Sequence, residues 1–292
     1  MYRKYTKLEK RNWLWCYLFL LPTLVIFFMF YLTPILTVIY TSLTRWNGFN
    51  LPELVGFTHY QKLFKTDTFL LSIRNLFSWI LIAATGHVAF GTMIALMLHR
   101  KPFGWKFVRA AYMVPNVISI AAWAIIYKFI FNDDFGLLNN IIRLSFPNFS
   151  VPWFFQSPAA FWAITLTWFF YAVIVTLIVS GDLLAIPEEL FEAAYIDGAS
   201  NWQVTRFVKI PLCRSALSTS IIISVTARIG MFEVISLTSR GGPGDDTMNL
   251  PLILVRAIRD LNYGYANAVA FTMMVIGVLL MLVISRAFRE RY

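Results

Sequence analysis

Long apolar runs separated by short polar segments are the main pattern along the 292-residue chain. Each run exceeds the roughly 18 residues that mark a candidate transmembrane helix. None shows the period-two alternation of a membrane-spanning β-barrel. The pattern predicts an all-α membrane protein with six transmembrane helices, forming one transmembrane domain over residues 1–292. The predicted spans are about 14–42, 69–98, 107–131, 159–184, 216–238 and 265–287.

Composition supports this class. Hydrophobic residues make up 59% of the chain and charged residues only 14%, whereas soluble domains carry about 25% charge. The first run follows a basic N-terminus, as a secretory signal would. It is too long for a signal peptide and lacks a small-residue cleavage site, so we interpret it as a retained helix.

Lysine and arginine are distributed unevenly among the connecting segments. One set of segments carries 15 of these residues and the other carries 7. The richer set is the N-terminus, 99–109, 185–215 and the tail 286–292; the poorer set is 44–68, 132–158 and 239–264. Because cytoplasmic loops are enriched in basic residues, both termini and residues 185–215 are predicted to lie in the cytoplasm.

Helix-breaking residues lie inside several predicted spans: Pro22, Pro34, Gly86, Gly91 and Pro115. In lipid, breaks persist only where neighbouring groups or a water-lined cavity satisfy the freed backbone. We therefore expect some of these positions to mark moving helices or a cavity, and the others to be ordinary kinks.

The polar segment 185–215 interrupts this apolar chain with the signals of a first short helix. Pro187 suits the first helical position, and Glu188 and Glu189 suit the positive end of the helix dipole. Gly198 suits the left-handed position that ends a helix. A helix is therefore expected to end near Gly198.

A second short helix is expected directly afterwards. Ser200 and Gln203 have the spacing of a capping box, and Pro211 is expected to stop the helix. Its apolar stripe is predicted to consist of Val204, Phe207 and Val208. A simple link between two spans needs fewer residues, so we interpret the segment as a docking lever for a soluble partner, with a plain surface hairpin as the alternative.

The segment resembles the EAA loop of binding-protein-dependent ABC importer permeases, whose pattern is E-A-A-x-x-D-G-A followed by a hydrophobic residue and proline. The matching residues are Glu192, Ala193, Ala194, Asp197, Gly198 and Ala199, then Ile210 and Pro211. The resemblance implies that the first six of these residues couple the chain to an ATPase. Small side chains would let this helix lie close in a groove, while the two acids would either meet the ATPase or cap the turn.

Three further stretches resemble the carbohydrate permeases of the maltose and glycerol-phosphate type: "LLPTLVIFFMFYLTPI", "VGFTHYQKLF" and "RGGPGDDT". The second of them resembles the first of the two permease subunits that these systems pair. Ser215 departs from the pattern, because the family often has a second proline there.

The resemblance implies a type I importer permease fold in the bacterial plasma (inner) membrane. The implied partners are a second homologous permease, a cytoplasmic ATPase dimer that binds ATP-Mg, an extracytoplasmic solute-binding protein, a sugar and membrane lipid. No cofactor is expected in this chain. Asp133, Asp134, Asp245 and Asp246, in the outer loops, are expected either to help dock the binding protein or to be merely solvated.

Resemblance to the maltose permease also implies that sugar contacts lie in the fourth and fifth spans. The implied pathway residues are Phe169, Phe170, Val173, Ser224, Arg228 and Met231. Ser224, Arg228 and Met231 have helical spacing that predicts one shared face. A charge within a span is costly unless it is paired or functional. Arg228 therefore predicts either an acidic sugar or an ion pair with a neighbouring span or the partner permease; Glu233, five residues on, is a poor partner within one helix.

Other chemistry is not indicated. No G-x-x-x-x-G-K-[ST] motif predicts a nucleotide site, and the histidines lack metal-ligand spacing. We find no nucleophile-base-acid set, so no enzyme activity is expected, and nothing indicates a nucleic-acid partner. His87, within the second span, is expected to contact a neighbouring helix. The alternatives left open are a permease for glycerol-phosphate or a peptide, an ATPase-independent secondary transporter or channel, and a membrane scaffold.

Overall fold

The computed structural model describes residues 7–288, and side-chain environments from residue 15 to residue 288. The basic residues Arg3 and Lys4 and the end of the tail, which contributed to the predicted orientation, lie outside the described residues. The described chain is mostly helical. Its α-helices are α1 (Lys7–Phe27), α2 (Thr33–Ser42), α3 (Thr58–Lys65), α4 (Asp67–Ile82), α5 (Val88–His99), α6 (Trp105–Met113), α7 (Ile120–Ile130), α8 (Leu137–Arg143), α9 (Ala159–Phe169), α10 (Val173–Ala185), α11 (Glu188–Ile196), α12 (Asn201–Val204), α13 (Ile210–Leu212), α14 (Arg214–Ile229), α15 (Glu233–Leu237), α16 (Leu250–Arg259) and α17 (Tyr263–Ala287).

Short elements of other kinds join these helices. π-helical turns cover Phe28–Leu32, Ala83–His87 and Thr205–Lys209, and a 3₁₀ turn covers Val114–Val117. Strands β1 (Thr44–Arg45) and β2 (Glu53–Leu54) pair antiparallel, with Thr44 opposite Leu54.

Among the described residues, five helical stretches are long and apolar enough to cross a membrane. They are Trp15–Ser42, Asp67–His99, Ala159–Ala185, Arg214–Leu237 and Tyr263–Ala287. The third predicted span differs, because its two halves, Trp105–Val117 and Ile120–Ile130, meet at 107°. The bend follows Pro115, which the sequence marked as a breaker. This run is therefore a broken span rather than a continuous helix.

The other marked breakers behave differently from one another. Pro22 lies within α1 without ending it, whereas Pro34 follows the first π-helical turn and Gly86 lies inside the second. At Gly91 an added Cβ would lie 2.7 Å from Val175 and 2.9 Å from Ala172. Glycine at this position therefore lets α5 pack directly against α10.

Two buried clusters hold the body together. The larger joins α4, α9, α14 and α17 around Trp79, Ile164 and Val225. The smaller joins α5, α10 and the start of α14 around Val88 and Val179. By contrast, no residue in the most apolar window of the first span is buried. In a membrane, lipid or another protein covers such a surface.

Candidate functional site

The third, fourth and fifth spans are each interrupted, and the interruptions line one cavity of about 620 Å³. The fourth span is interrupted between α9 and α10, and the fifth between α14 and α15. The lining residues are Pro115, Asn116, Ile118, Ile120, Trp123, Thr167, Trp168, Tyr171, Ala227, Arg228, Gly230, Met231, Glu233 and Val234. Irregular backbone at membrane depth is tolerated where it is packed in protein or lines such a cavity.

Side chains from other helices satisfy the backbone groups that the break in the fourth span exposes. The hydroxyl of Tyr112 accepts from the Ala172 amide (2.9 Å) and donates to the Phe170 carbonyl (3.2 Å). His87 Nδ1 lies 2.9 Å from the carbonyl oxygen of Phe169, so this nitrogen donates. The predicted contact of His87 with a neighbouring helix is thus present, and α6 and the second span hold the break open.

The break in the fifth span is held in the same way. The side-chain amide of Asn249, the N-cap of α16, donates to the carbonyl oxygen of Met231. Trp123 Nε1 donates to the Thr167 carbonyl (2.8 Å) and so joins α7 to α9 beside the cavity. The cavity is therefore bounded by fixed backbone on several sides.

Arg228 is the only basic residue among the described residues that line the cavity. Its guanidinium carbon lies 4.1 Å from the centroid of the Trp168 ring, a cation–π contact. Nη1 lies 3.8 Å from Met231 Sδ, a weak acceptor. Nε is buried, and no described residue accepts a hydrogen bond from it. The side chain thus has an aromatic support but no described carboxylate partner.

Unpartnered polar atoms concentrate at this cavity. Between residues 15 and 288, four buried side-chain nitrogen or oxygen atoms have no hydrogen-bond partner. Three of them belong to lining residues: Arg228 Nε, Trp168 Nε1 and Tyr171 Oη. Such groups are rare in folded proteins, and each needs an explanation.

Glu233 also lines the cavity, and its side chain is exposed. It was predicted to be a poor partner for Arg228, because a separation of five residues places the two on different faces of a continuous helix. The break after Ile229 removes that geometry and brings both residues to one cavity. The described chain nevertheless shows no ion pair between them.

The structure separates the predicted pathway residues. Arg228 and Met231 line the cavity, but Met231 follows the end of α14, so the predicted continuous helical face with Ser224 is wrong. Ser224 and Val173 are buried within the helix packing and do not line the cavity. Phe169 and Phe170 do not line it either; their rings pack against each other with centroids 5.0 Å apart.

Sequence reasoning missed Trp123, Thr167, Trp168, Tyr171 and Glu233 as lining residues. Two of them, Trp168 and Tyr171, directly flank the Phe169–Phe170 pair, whose predicted contact with the cargo stays a prediction. The break in the fourth span contains no proline or glycine and gave no signal. Gly230 was an available signal for the break in the fifth span.

The polar segment forms a second site, and its turn is built largely as predicted. Gly198 has φ +82°, and its amide donates to the Tyr195 carbonyl while the Ala199 amide donates to the Ala194 carbonyl, both at 3.0 Å. This pair of bonds is a Schellman motif. Ser200 and Gln203 form the predicted capping box at the start of α12.

Three details of the segment differ from the prediction. Pro187 is the N-cap of α11 and not its first helical residue. Pro211 lies inside α13 and does not stop the helix at that point. Phe207 is 71% exposed while Val204 is buried, so the predicted apolar stripe is wrong at Phe207. The π-helical turn Thr205–Lys209 adds a residue to the turn and shifts the helical phase after Val204.

One aromatic side chain anchors α11 to the body. Phe191 is buried and lies between His99, at a ring separation of 6.0 Å, and Lys209, whose Nζ is 4.7 Å from the ring centroid. Burial lowers the pKa of Lys209 below its ordinary value. The neighbouring Cys213 is also buried, and burial raises the pKa of its thiol to about 11.

Most other side chains of α11 and α12 are exposed. The large apolar ones include Leu190, Ile196 (85% exposed) and Trp202 (69% exposed). The carboxylates of Glu192 and Asp197 are exposed and form no hydrogen bond or ion pair within the described chain. The turn is closed by backbone bonds and the capping box, so the two acids are available to another molecule.

Two helices connect the sites. α10 runs from the break in the fourth span to the polar segment, and α14 runs from the segment to the break in the fifth span. The Ala216 amide of α14 donates to Asp182 Oδ2 of α10 (3.1 Å), which ties the two helices near the segment.

The sequence of the chain matches a known protein family and several known proteins. Residues 87–291 match the family described as "Binding-protein-dependent transport system inner membrane component". The chain is 28% identical to the probable starch degradation products permease AmyD of Thermoanaerobacterium thermosulfurigenes, over 89% of both chains. It is 30% identical to the diacetylchitobiose uptake permease NgcF of Streptomyces coelicolor, over 86% of this chain and 75% of that protein.

The fold also resembles a solved structure. A chain of the bacterial alginate ABC transporter, crystallised with an alginate pentasaccharide-bound periplasmic protein, superposes with a TM-score of 0.82. The match covers 96% of this chain and 95% of that one at 20% sequence identity. The architecture is therefore the predicted all-α permease fold of ABC importers.

Proposed function

The chain belongs to the family of binding-protein-dependent transport system inner membrane components, and we propose that it is the permease subunit of an ATP-driven importer that takes up a sugar or oligosaccharide. A permease subunit is not itself an enzyme. The observation that carries the proposal is the direct helical connection, through α10 and α14, between an exposed, self-capped segment and a cavity lined by broken spans.

On this proposal the polar segment lies in the cytoplasm and docks on an ATPase dimer, which binds ATP-Mg. The Ala193–Ala194 pair lets α11 approach its partner closely, and the exposed apolar side chains beside it supply contact area. Glu192 and Asp197 then meet donors on the ATPase. Phe191 transmits the motion, since it is the one buried side chain of α11.

The cavity is proposed to receive the cargo from a solute-binding protein on the opposite side of the membrane. Pockets for small ligands commonly measure about 300–1,000 Å³, and 620 Å³ suits one or two sugar rings. Trp123 and Tyr171, with centroids 5.0 Å apart, form an aromatic wall against which a sugar ring can stack. The names of the relatives, which refer to starch products and diacetylchitobiose, support a carbohydrate cargo.

A second, homologous permease is proposed to complete the pathway, with this chain as the first of the two subunits in a bacterial plasma membrane and both termini in the cytoplasm. The apolar first span, whose most apolar window contains no buried residue in the described chain, offers surface for that subunit or for lipid. Docking of the binding protein by outer acids remains a prediction. It suits Asp245 least, because Asp245 Oδ2 already accepts from the Thr68 hydroxyl at 2.5 Å.

Affinity purification and uptake test the proposal together. The tagged chain, purified from its native membrane, is expected to bring down a homologous permease and an ATPase, and deletion of the chain is expected to abolish uptake of labelled oligosaccharides. Uptake that continues when the ATPase is inactivated would favour a secondary transporter. A transport-competent homodimer of this chain with the ATPase would disprove the two-permease arrangement.

A further inference from the structure

We propose that the cavity recognises a carboxylate on the cargo, with Arg228 as the carboxylate-binding residue and Trp168 as a supporting donor, so that the imported sugar is acidic. This inference rests on the proposed function and specifies the substrate class of its cavity.

The hydrogen-bonding capacity of the lining points to an acceptor. Arg228 Nε and Trp168 Nε1 can only donate, and both are buried with no acceptor in the described chain. Tyr171 Oη, also unpartnered, can donate or accept. A carboxylate offers two oxygens that only accept, and it matches the fork of a guanidinium. Arg228 Nη2 also has no described acceptor and is not among these buried atoms, so a ligand rich in acceptors contacts the guanidinium through Nη2, and the buried donors join after a shift of their side chains.

The position of Arg228 is suited to binding rather than to a pair within this chain. The Trp168 ring supports the guanidinium, whose carbon lies 4.1 Å from the ring centroid. Met231 Sδ, at 3.8 Å from Nη1, compensates little of the charge. A charge within a membrane span that has no counter-ion is costly, so such residues usually have a functional role such as ligand binding.

The net charge of the lining favours a single carboxylate over a phosphate. Among the described lining residues Arg228 is the only basic one, and Glu233 contributes a negative charge to the same cavity. A phosphate group carries close to two negative charges at neutral pH and would meet only this one cation. A uronate residue carries one charge, and its hydroxyl groups can donate to the Glu233 carboxylate. Glu233 thus binds the sugar hydroxyls, while Arg228 binds the carboxylate.

The test uses the complete transporter in lipid nanodiscs without the solute-binding protein, so that the selectivity of that protein does not enter. The probes are labelled di- to tetrasaccharides of galacturonate, glucuronate and mannuronate, each with its carboxyl-reduced neutral counterpart, and glucose 6-phosphate. Binding is measured by equilibrium dialysis. We expect at least one uronate to bind about tenfold to a hundredfold more tightly than its reduced form, since a charge-assisted hydrogen bond contributes that much.

Variants assign the preference to Arg228. Arg228→Gln is expected to lower affinity for the uronate about tenfold to a hundredfold and to change affinity for the neutral form less than about twofold. Arg228→Lys keeps the charge but loses the fork and should fall between the two. Trp168→Phe keeps the ring and removes the donor, with an expected loss of about fivefold for the uronate. Arg259→Gln, which removes the same charge from an exposed helix end, is the matched control and should change nothing.

The outcomes separate this inference from the proposed function. If the reduced forms bind as well as the uronates, or if Arg228→Gln weakens both equally, the cargo is not selected by its carboxylate, while sugar import stands. Preference for glucose 6-phosphate would replace the carboxylate with a phosphate. Dissociation of the second permease in Arg228→Gln would identify a structural ion pair between subunits. If proteoliposomes that contain the transporter and the binding protein take up none of the sugars, the proposed function itself is rejected.

Discussion

Replacing Gly198 tests whether the shape of the polar segment couples it to a partner. Gly198 has φ +82°, and a Cβ added there would meet no atom within 4 Å. A substitution therefore causes no clash and acts through the backbone. Left-handed geometry costs an ordinary residue about 1–2 kcal/mol, and a β-branched side chain resists it further. Gly198→Val should depopulate the native turn about 5- to 30-fold or more.

Gly198→Asn and Gly198→Ala complete the series, because asparagine tolerates left-handed geometry better than alanine or valine does. Gly104 provides a matched control: it has φ +78° and equally open space, but it lies before α6 and outside the segment. ATP-driven uptake in proteoliposomes is expected to fall in the order Asn, Ala, Val at position 198, with normal membrane insertion. Gly104→Val should lose far less uptake. Equal uptake across the series, or equal loss at Gly104, would refute the reasoning.

Further changes test other parts of the arrangement. Glu192→Lys should abolish ATPase-dependent uptake without preventing insertion, whereas Glu192→Gln should lose less; uptake by both at the normal rate would remove the carboxylate from coupling. Tyr112→Phe unpairs the Ala172 amide and should lower the unfolding free energy by about 1–3 kcal/mol, measured as loss of thermal stability in detergent; an unchanged melting temperature would contradict this. Asp182→Leu removes the acceptor that ties α10 to α14 and should uncouple ATP hydrolysis from uptake, while Asp182→Asn, which can still accept, should retain coupling; equal uptake by the two would deny the tie a role. Cys213 should resist maleimide labelling at pH 7–9, because a pKa raised from 9.0 to about 11 lowers its thiolate fraction about a hundredfold below pH 9; the denatured protein serves as the positive control, and equal labelling of Cys213 before and after denaturation would contradict its burial.

Local signals in the sequence were reliable where one residue type decides the backbone. Gly198 predicted its left-handed turn, Ser200 and Gln203 predicted their capping box, and Pro115 marked the bend in the third span. In each case the chemistry that decides the conformation lies within four residues. Hydropathy was similarly sufficient for the continuous spans, because the apolar thickness of a bilayer sets a minimum length.

Features that depend on distant partners were not predictable in this way. The break after Phe169 contains no glycine or proline; it exists because Tyr112 and His87, far away in the chain, hold the exposed backbone groups. Helical spacing predicted that Met231 shares a face with Arg228, but the helix ends at Ile229, before Met231. Phe207 was misplaced because a π-helical turn shifts the phase without a local sequence signal. Site residues that lie on broken helices therefore had to be found from the assembled fold.

The lengths of the connecting helices show how a small movement of the segment can reach the cargo. α14 has 16 residues, so it is about 24 Å long, and it carries Arg228 near the end remote from the segment. Rotation of such a rod by about 10° about its segment end would displace the other end by about 4 Å. The guanidinium of Arg228 lies 4.1 Å from the Trp168 ring, which belongs to α9, on the other side of the break from α10. Because α14 and α9 are not one continuous helix, the same rotation would separate Arg228 from its aromatic support and weaken the carboxylate site. Release of an acidic cargo would then follow from the geometry that couples the segment to the cavity, and loss of coupling in Gly198→Val should leave cargo binding intact while its release stops.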